Sequence, residues 1–254
     1  MAVKRCKLLI CLVIVMSSIH HLSGQIINIE QKRIITDTVG FAGNIGLSVN
    51  ASRYSQSFFA FNSNGHIQFK SHRHLILAFI NYALVNVSGS EFNRNGFSHL
   101  RYNYEVNDLL RLEAFTQLQL NALLNIKNRN LNGLGIRLKL SQYENAKFYF
   151  GLAYMYEREA LEQEKNLNID NRMSSYFTFT LTPQENVKLS NTSYVQPLFN
   201  NFSDFRFSND LVLSFQITKN LSFVTNFHFL YDAKPPVGIP TNNYEVTNGL
   251  SFAF

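Results

Sequence analysis

The chain has 254 residues, 16% charged and 14% aromatic, with 23 Phe, 12 Tyr and no Trp. Five Pro and 12 Gly exclude a collagenous or low-complexity chain. A mean hydropathy of −0.09 excludes a bundle of transmembrane helices, each of which needs about 20 apolar residues in a row. A membrane barrel stays open, because its strands are apolar only at alternate positions.

The N-terminus comes first. Lys4, Arg5 and Lys7 precede an apolar stretch from Leu8 to Met16, followed by a more polar run ending in small residues at Gly24. This pattern predicts a secretory signal peptide over residues 1–24, cut near Gly24–Gln25. Cys11 lies inside the apolar stretch rather than after it, which argues against a lipoprotein site. Cleavage removes Cys6 and Cys11, the two cysteines of the chain, and lowers the formal net charge from +6 to +3. The mature chain then has no disulfide, thiol nucleophile or cysteine metal site. No basic cluster remains for nucleic acid. Residues 25–39, with Glu30, Lys32, Arg33 and Asp37, are too polar to span a membrane and are expected to form a periplasmic lead.

From Gly40 to Phe254 the hydropathy alternates with period two, which predicts twelve strands. The first three fall near Phe41–Asn50, Ser57–Phe69 and Leu75–Val87, the third being apolar on both faces. Further along, Leu100, Tyr102 and Tyr104 oppose Arg101, Asn103 and Glu105. Leu110, Leu112 and Ala114 oppose Arg111 and Glu113. Leu134, Ile136 and Leu138 oppose Gly135, Arg137 and Lys139. Leu211, Leu213 and Phe215 oppose Arg206, Asp210 and Ser214, and Tyr244, Val246, Leu250 and Phe252 oppose Glu245, Thr247 and Gly249. The apolar face of these strands carries no charge. A Lys or Arg facing lipid near the midplane costs roughly 2–4 kcal/mol, so a lipid-exposed face excludes charge in this way.

Short connections at Lys70–His74, Asn107–Leu109, Ser141–Asn145, Thr182–Asn186 and Thr218–Asn220 hold an odd number of residues, which keeps the apolar positions on one face. The other connections read as longer, above all Arg158–Arg172 and Asp232–Asn243. That asymmetry predicts periplasmic turns at one end and outer loops at the other. The fold expected is an all-β, antiparallel up-and-down transmembrane barrel over residues 40–254. Its lumen is expected to be ion-paired, with Arg101, Glu105, Arg111, Glu113, Arg137, Lys139, Arg206, Asp210 and Glu245 facing inward. Either register across Asn107–Leu109 sets a carboxylate against a guanidinium, Glu105 with Arg111 or Arg101 with Glu113.

The segment Tyr231-Asp-Ala-Lys-Pro-Pro-Val-Gly-Ile-Pro, with the strand ending Leu250-Ser-Phe-Ala-Phe254, resembles the YdiY-like family of outer-membrane proteins. Gly40-Phe-Ala-Gly-Asn-Ile-Gly-Leu and His99–Tyr104 resemble it too. That family is described as salt-stress-induced and of unknown function. The resemblance implies a Gram-negative outer-membrane barrel and no catalytic residues. Phe252 and Phe254 look like the C-terminal signal read by the barrel-assembly machinery.

Of the five mature histidines, His72 and His74 flank Arg73 in a short turn without further metal ligands, while His66, His99 and His228 take inward parity. No metal, cofactor or catalytic group is expected. A lipid hydrolase needs a Ser–His pair on the lipid side, and no strand His has that parity although Ser175 and Ser193 do. The partners expected are outer-membrane lipid, the assembly machinery and small polar solutes. Three further readings stay open: a narrow pore, a closed envelope-maintenance barrel that tight packing of Tyr82, Tyr149 and Tyr176 across the lumen would favour, and a soluble lipid-binding barrel with an apolar interior.

Overall fold

The computed structural model describes residues 39–162 and 167–252. The expected signal peptide, residues 25–38 of the expected lead, and Phe254 lie outside the described residues. Alternating aromatic and branched residues produce twelve strands: β1 (Gly40–Arg53), β2 (Ser57–Ser71), β3 (His74–Val87), β4 (Ser90–Glu105), β5 (Leu110–Asn121), β6 (Ile126–Gln142), β7 (Ala146–Leu161), β8 (Leu167–Gln184), β9 (Val187–Leu198), β10 (Asn201–Gln216), β11 (Leu221–Asp232) and β12 (Asn242–Phe252). Each pairs antiparallel with the next in chain order. The up-and-down meander expected from the sequence is therefore present. The ladder runs from β1 to β12 without a β12–β1 pairing among the described residues, so β1 and β12 are its edges.

The sheet curls strongly to one side. Tyr176 on β8 bonds Glu113 on β5, and Arg206 on β10 bonds Glu157 on β7. In each case two strands intervene, so side chains meet only if the face that bears them is concave. That concave face is polar and buried: Arg101, Asn103, Gln117, Arg129, Glu157, Thr192 and Ser208 are all shielded from solvent. The convex face is apolar and exposed, with Ile45, Leu100, Leu112, Leu134, Leu152, Phe177 and Val246. A soluble lipid-binding barrel needs the opposite arrangement, and this inversion removes that reading.

Three expectations change. First, the turn between β2 and β3 holds only His72 and Arg73, with His72 in the left-handed region at φ 44. Phe69 then faces Ile76, an odd separation, so parity flips across this turn. The flip orients β3: Ile76 and Ile80 are exposed on the convex face, while Leu77 and Phe79 are buried on the concave one. Tyr82 goes with Ile80 to the outside, where its ring lies 6.1 Å from Phe61. His74 also has convex parity and bonds the Tyr102 hydroxyl at 2.7 Å.

Second, Arg158–Arg172 is mostly ladder, not loop. Arg158 pairs with Ile169 and Glu159 with Asn168. Third, the expected short–long asymmetry shrinks to one long connection, 233–241, beside the five residues 162–166. The cause is common to both: the strands continue past their apolar stretch with polar residues on both faces. Hydrogen bonding between backbones does not require hydropathy to alternate, so the pairing outlasts the signal.

Candidate functional site

The concave face carries two hubs of buried charge. The first centres on Glu113, on β5. Arg101 lies on β4, one inward position off the Glu113 level, because Asn103 is the residue directly opposite. Its guanidinium reaches Glu113 Oε2 at 3.3 Å. The Tyr176 hydroxyl donates to the same oxygen at 3.0 Å. Tyr176 can lean this far because Gly151 lies beneath it: a Cβ there would stand 2.0 Å from the ring. Gly133 seats the Phe115 ring in the same manner, at 2.2 Å, and Arg101 stacks over Phe115 at 5.1 Å. A cation over an aromatic face contributes about 0.5–2 kcal/mol. Arg137 lies 4.1 Å above Tyr149.

The register across the β4–β5 turn is the symmetric one, with Glu105 opposite Arg111 at 2.7 Å. Both ion pairs weighed from the sequence therefore form at once, one directly across and one diagonally. The outer of the two, Glu105–Arg111, is about one-third exposed and contributes little.

The second hub centres on Glu157 of β7, near the end of the sheet that bears the longer connections. Three arginines converge on it. Arg206 Nη1 donates at 2.7 and 2.8 Å, and the Nε atoms of Arg129 and Arg172 lie 3.2 Å away. Four more carboxylates surround the arginines: Glu159 holds Arg129, Asp232 holds Arg206 at 3.1 Å, and Asp170 and Asp204 each hold Arg172 at 3.3 Å. Glu157 is 1% exposed. Removing one partner of a buried pair costs about 3–5 kcal/mol, so this hub ties β6, β7, β8, β10 and β11 into one piece.

A ring cluster occupies the inner wall at β2–β5. His66 stacks on Phe79 at 4.4 Å, and His99 lies between Phe97 at 6.0 Å and Phe115 at 5.6 Å. A fourth feature crosses β10, β11 and β12 at one level. Asp210 is opposite His228, and His228 is opposite Glu245. His228 Nδ1 and Asp210 Oδ1 are 2.5 Å apart. Beyond this row the concave face becomes small and uncharged, with Thr247 and Gly249 on β12 and Ala42, Asn44, Gly46 and Ser48 on β1.

Of the charges singled out in the sequence, Arg101, Glu113, Arg137 and Arg206 are buried on the concave face, and Lys139 and Glu245 have the same parity and are half-buried. Phe252 is exposed on the convex side of β12. Sequence reasoning missed Arg129, Glu159, Arg172, Asp204 and Asp232. They follow the same period-two rule as Glu157, but in segments read as connections. Among the described residues, no group of three or more His, Cys, Asp or Glu side chains is placed to hold a metal ion.

A family model described as a protein of unknown function, DUF481, matches residues 44–254. No curated protein matches. Among solved structures, the chain is similar to the NanC porin with 13% identity and a TM-score of 0.50, over 82% of this chain and 100% of that one. It is also similar to OccK11 (OpdR) of Pseudomonas aeruginosa, with 10% identity and a TM-score of 0.38, over 83% and 82% of the two chains. OmpT of Vibrio cholerae matches at 8% identity and a TM-score of 0.29, over 84% and 95%. The NanC likeness concerns the fold alone.

Proposed function

Because the chain belongs to the DUF481 family, in keeping with the YdiY-like resemblance, we propose that it is an outer-membrane β-barrel that conducts small polar solutes through a narrow passage. In this reading β12 closes on β1, and the exposed apolar convex face meets lipid. The observation that carries the reading is the uneven filling of the concave side. Long ion-paired side chains crowd β4 to β10, whereas Asn44 and Ser48 on β1 and Gly249 on β12 leave their side exposed. A Cβ added to Gly249 would meet nothing within 4 Å. Closure brings these two edges together as one bare arc opposite the crowded one. The likeness in fold to a protein named a porin agrees with it.

A second reading is a closed barrel that serves the envelope without transport. The bridges from β5 to β8 and from β7 to β10 favour it, since a barrel of this size can be filled by its own side chains. Neither reading calls for a catalytic centre, cofactor or nucleic acid; the partners are lipid, the assembly machinery and, for the pore, small polar solutes. Planar-bilayer recording separates the two. The pore gives reproducible unitary current steps from protein whose gel mobility shifts on boiling. Silent membranes with the same folded protein leave the closed barrel.

A further inference from the structure

A hydrogen bond joins two connections that the ladder keeps far apart. Asn125, between β5 and β6, donates from Nδ2 to the Val237 carbonyl at 3.1 Å. Val237 lies in the connection between β11 and β12, residues 233–241. The strands β7, β8, β9 and β10 stand between β6 and β11. Following their ends around the wall takes five strand spacings, roughly 24 Å at about 4.8 Å each. Val237 is the fifth residue after Asp232, so an extended chain reaches only about 17 Å from the end of β11. The connection therefore takes the shorter way, over the open concave side, at the end of the sheet that bears the longer connections.

Its sequence makes it a stiff strap. Pro235, Pro236 and Pro240 have fixed φ angles. The tip is a tight turn in which the Ile239 N–H donates to Pro236 O at 3.0 Å, and Gly238 supplies a positive φ of 83 at its third position. The base is tied down. Asp232 N–H donates to Thr241 O at 2.8 Å, Ala233 N–H donates to Phe205 O at 3.0 Å, and Lys234 Nζ lies 3.7 Å from Asp204 Oδ2. On the far rim Asn125 is fixed as well. It sits in the left-handed region at φ 56, its N–H donates to Ala122 O at 3.2 Å, and its carbonyl accepts from the Glu162 N–H at 2.9 Å. Its backbone is engaged locally, and its side chain crosses to the strap. Val237 is 76% exposed, so little apolar packing holds the tip. A stiff arm with a held base and a tip fastened through an exposed hydrogen bond is a latch that opens at little cost.

We infer that residues 233–241 are a strap across the outer mouth, latched by Asn125, and that solutes enter freely only when its tip is released. The inference rests on the passage reading and supplies that passage with a gate.

The test uses protein expressed from the full chain and purified from membranes in detergent. Asn125→Cys and Val237→Cys are combined in a sequence that holds no cysteine after residue 11. A short bis-methanethiosulfonate, which a reducing agent removes, should join the pair, and intact mass should report one linker for the two thiols. In bilayers the joined protein should show a unitary conductance at least twofold below that of the same protein after reduction. Asn125→Ala, which cannot latch, should dwell longer at the higher level than the unaltered protein. A pair that does not join, in protein whose gel mobility shifts on boiling, overturns the strap. Joining that leaves the conductance unchanged overturns the gate and keeps the passage. If the cysteine pair fails to fold, the dwell times of Asn125→Ala decide: longer dwells at the higher level support the gate, and unchanged dwells overturn it. Silent membranes from every form, joined, reduced and Asn125→Ala, remove the passage and the gate with it.

Discussion

The middle of the sheet and its two edges are built from the same alternating pattern, yet they differ in what faces inward. From β4 to β10 the inward positions carry Arg, Glu, Asp and Tyr, tied together across as many as four strands. On β1 and β12 they carry mainly Ala, Asn, Gly, Ser and Thr. The outward positions are alike in both regions: Leu134 and Leu152 in the middle, Ile45 and Val246 at the edges, all exposed. The shared outer face indicates one environment outside. On the proposed passage reading, the contrast inside separates a wall filled by cross-linked side chains from a bare one.

The strongest way to break this contrast is at Glu157. Glu157→Gln leaves three guanidinium groups facing one another without the carboxylate that collects them. The expected loss is about 3–5 kcal/mol of folding stability, read as a lower urea midpoint for the refolded barrel. A change within experimental error would mean that the hub does not hold the middle together.

A smaller effect is expected at Gly151. Gly151→Val drives a side chain into the space of the Tyr176 ring and pushes its hydroxyl off Glu113. Overpacking of this sort costs about 1–3 kcal/mol in the same urea measurement. The smallest stability effect belongs to the bare edge. Ser48→Phe on β1 adds a ring where the concave face is exposed, and folding stability should stay within about 0.5 kcal/mol. Its mark is functional instead: unitary conductance should fall clearly below that of the unaltered protein. Equal conductance would place the passage elsewhere.

Much of this fold was legible in the sequence because alternation is a local signal. It survives through Leu110 to Glu113 and Leu211 to Phe215 without help from distant residues. The flip at β3 was not legible. Leu75, Ile76, Leu77, Ala78 and Phe79 are apolar on both faces, so orientation depends on whether the preceding turn holds two residues or five. The outward placement of Tyr82 follows from that turn alone. The Glu157 hub was half legible: Glu157 had inward parity, but Arg172 and Asp204 lie in polar segments where strand and loop look alike. Gly133 and Gly151 carried no signal as ring seats, since nothing in sequence tells which side chain will lean over a glycine.

The most direct measurement is cysteine scanning along β1, made clean by the absence of cysteine after residue 11. Single substitutions Asn44→Cys, Ile45→Cys, Leu47→Cys and Ser48→Cys are exposed to a membrane-impermeant maleimide in lipid vesicles. Rapid labelling at 44 and 48, with protection at 45 and 47 that detergent-free lipid maintains, is the outcome expected of a lipid-facing convex surface and a water-filled bare wall. Labelling at all four positions, or at 45 and 47 alone, would contradict it.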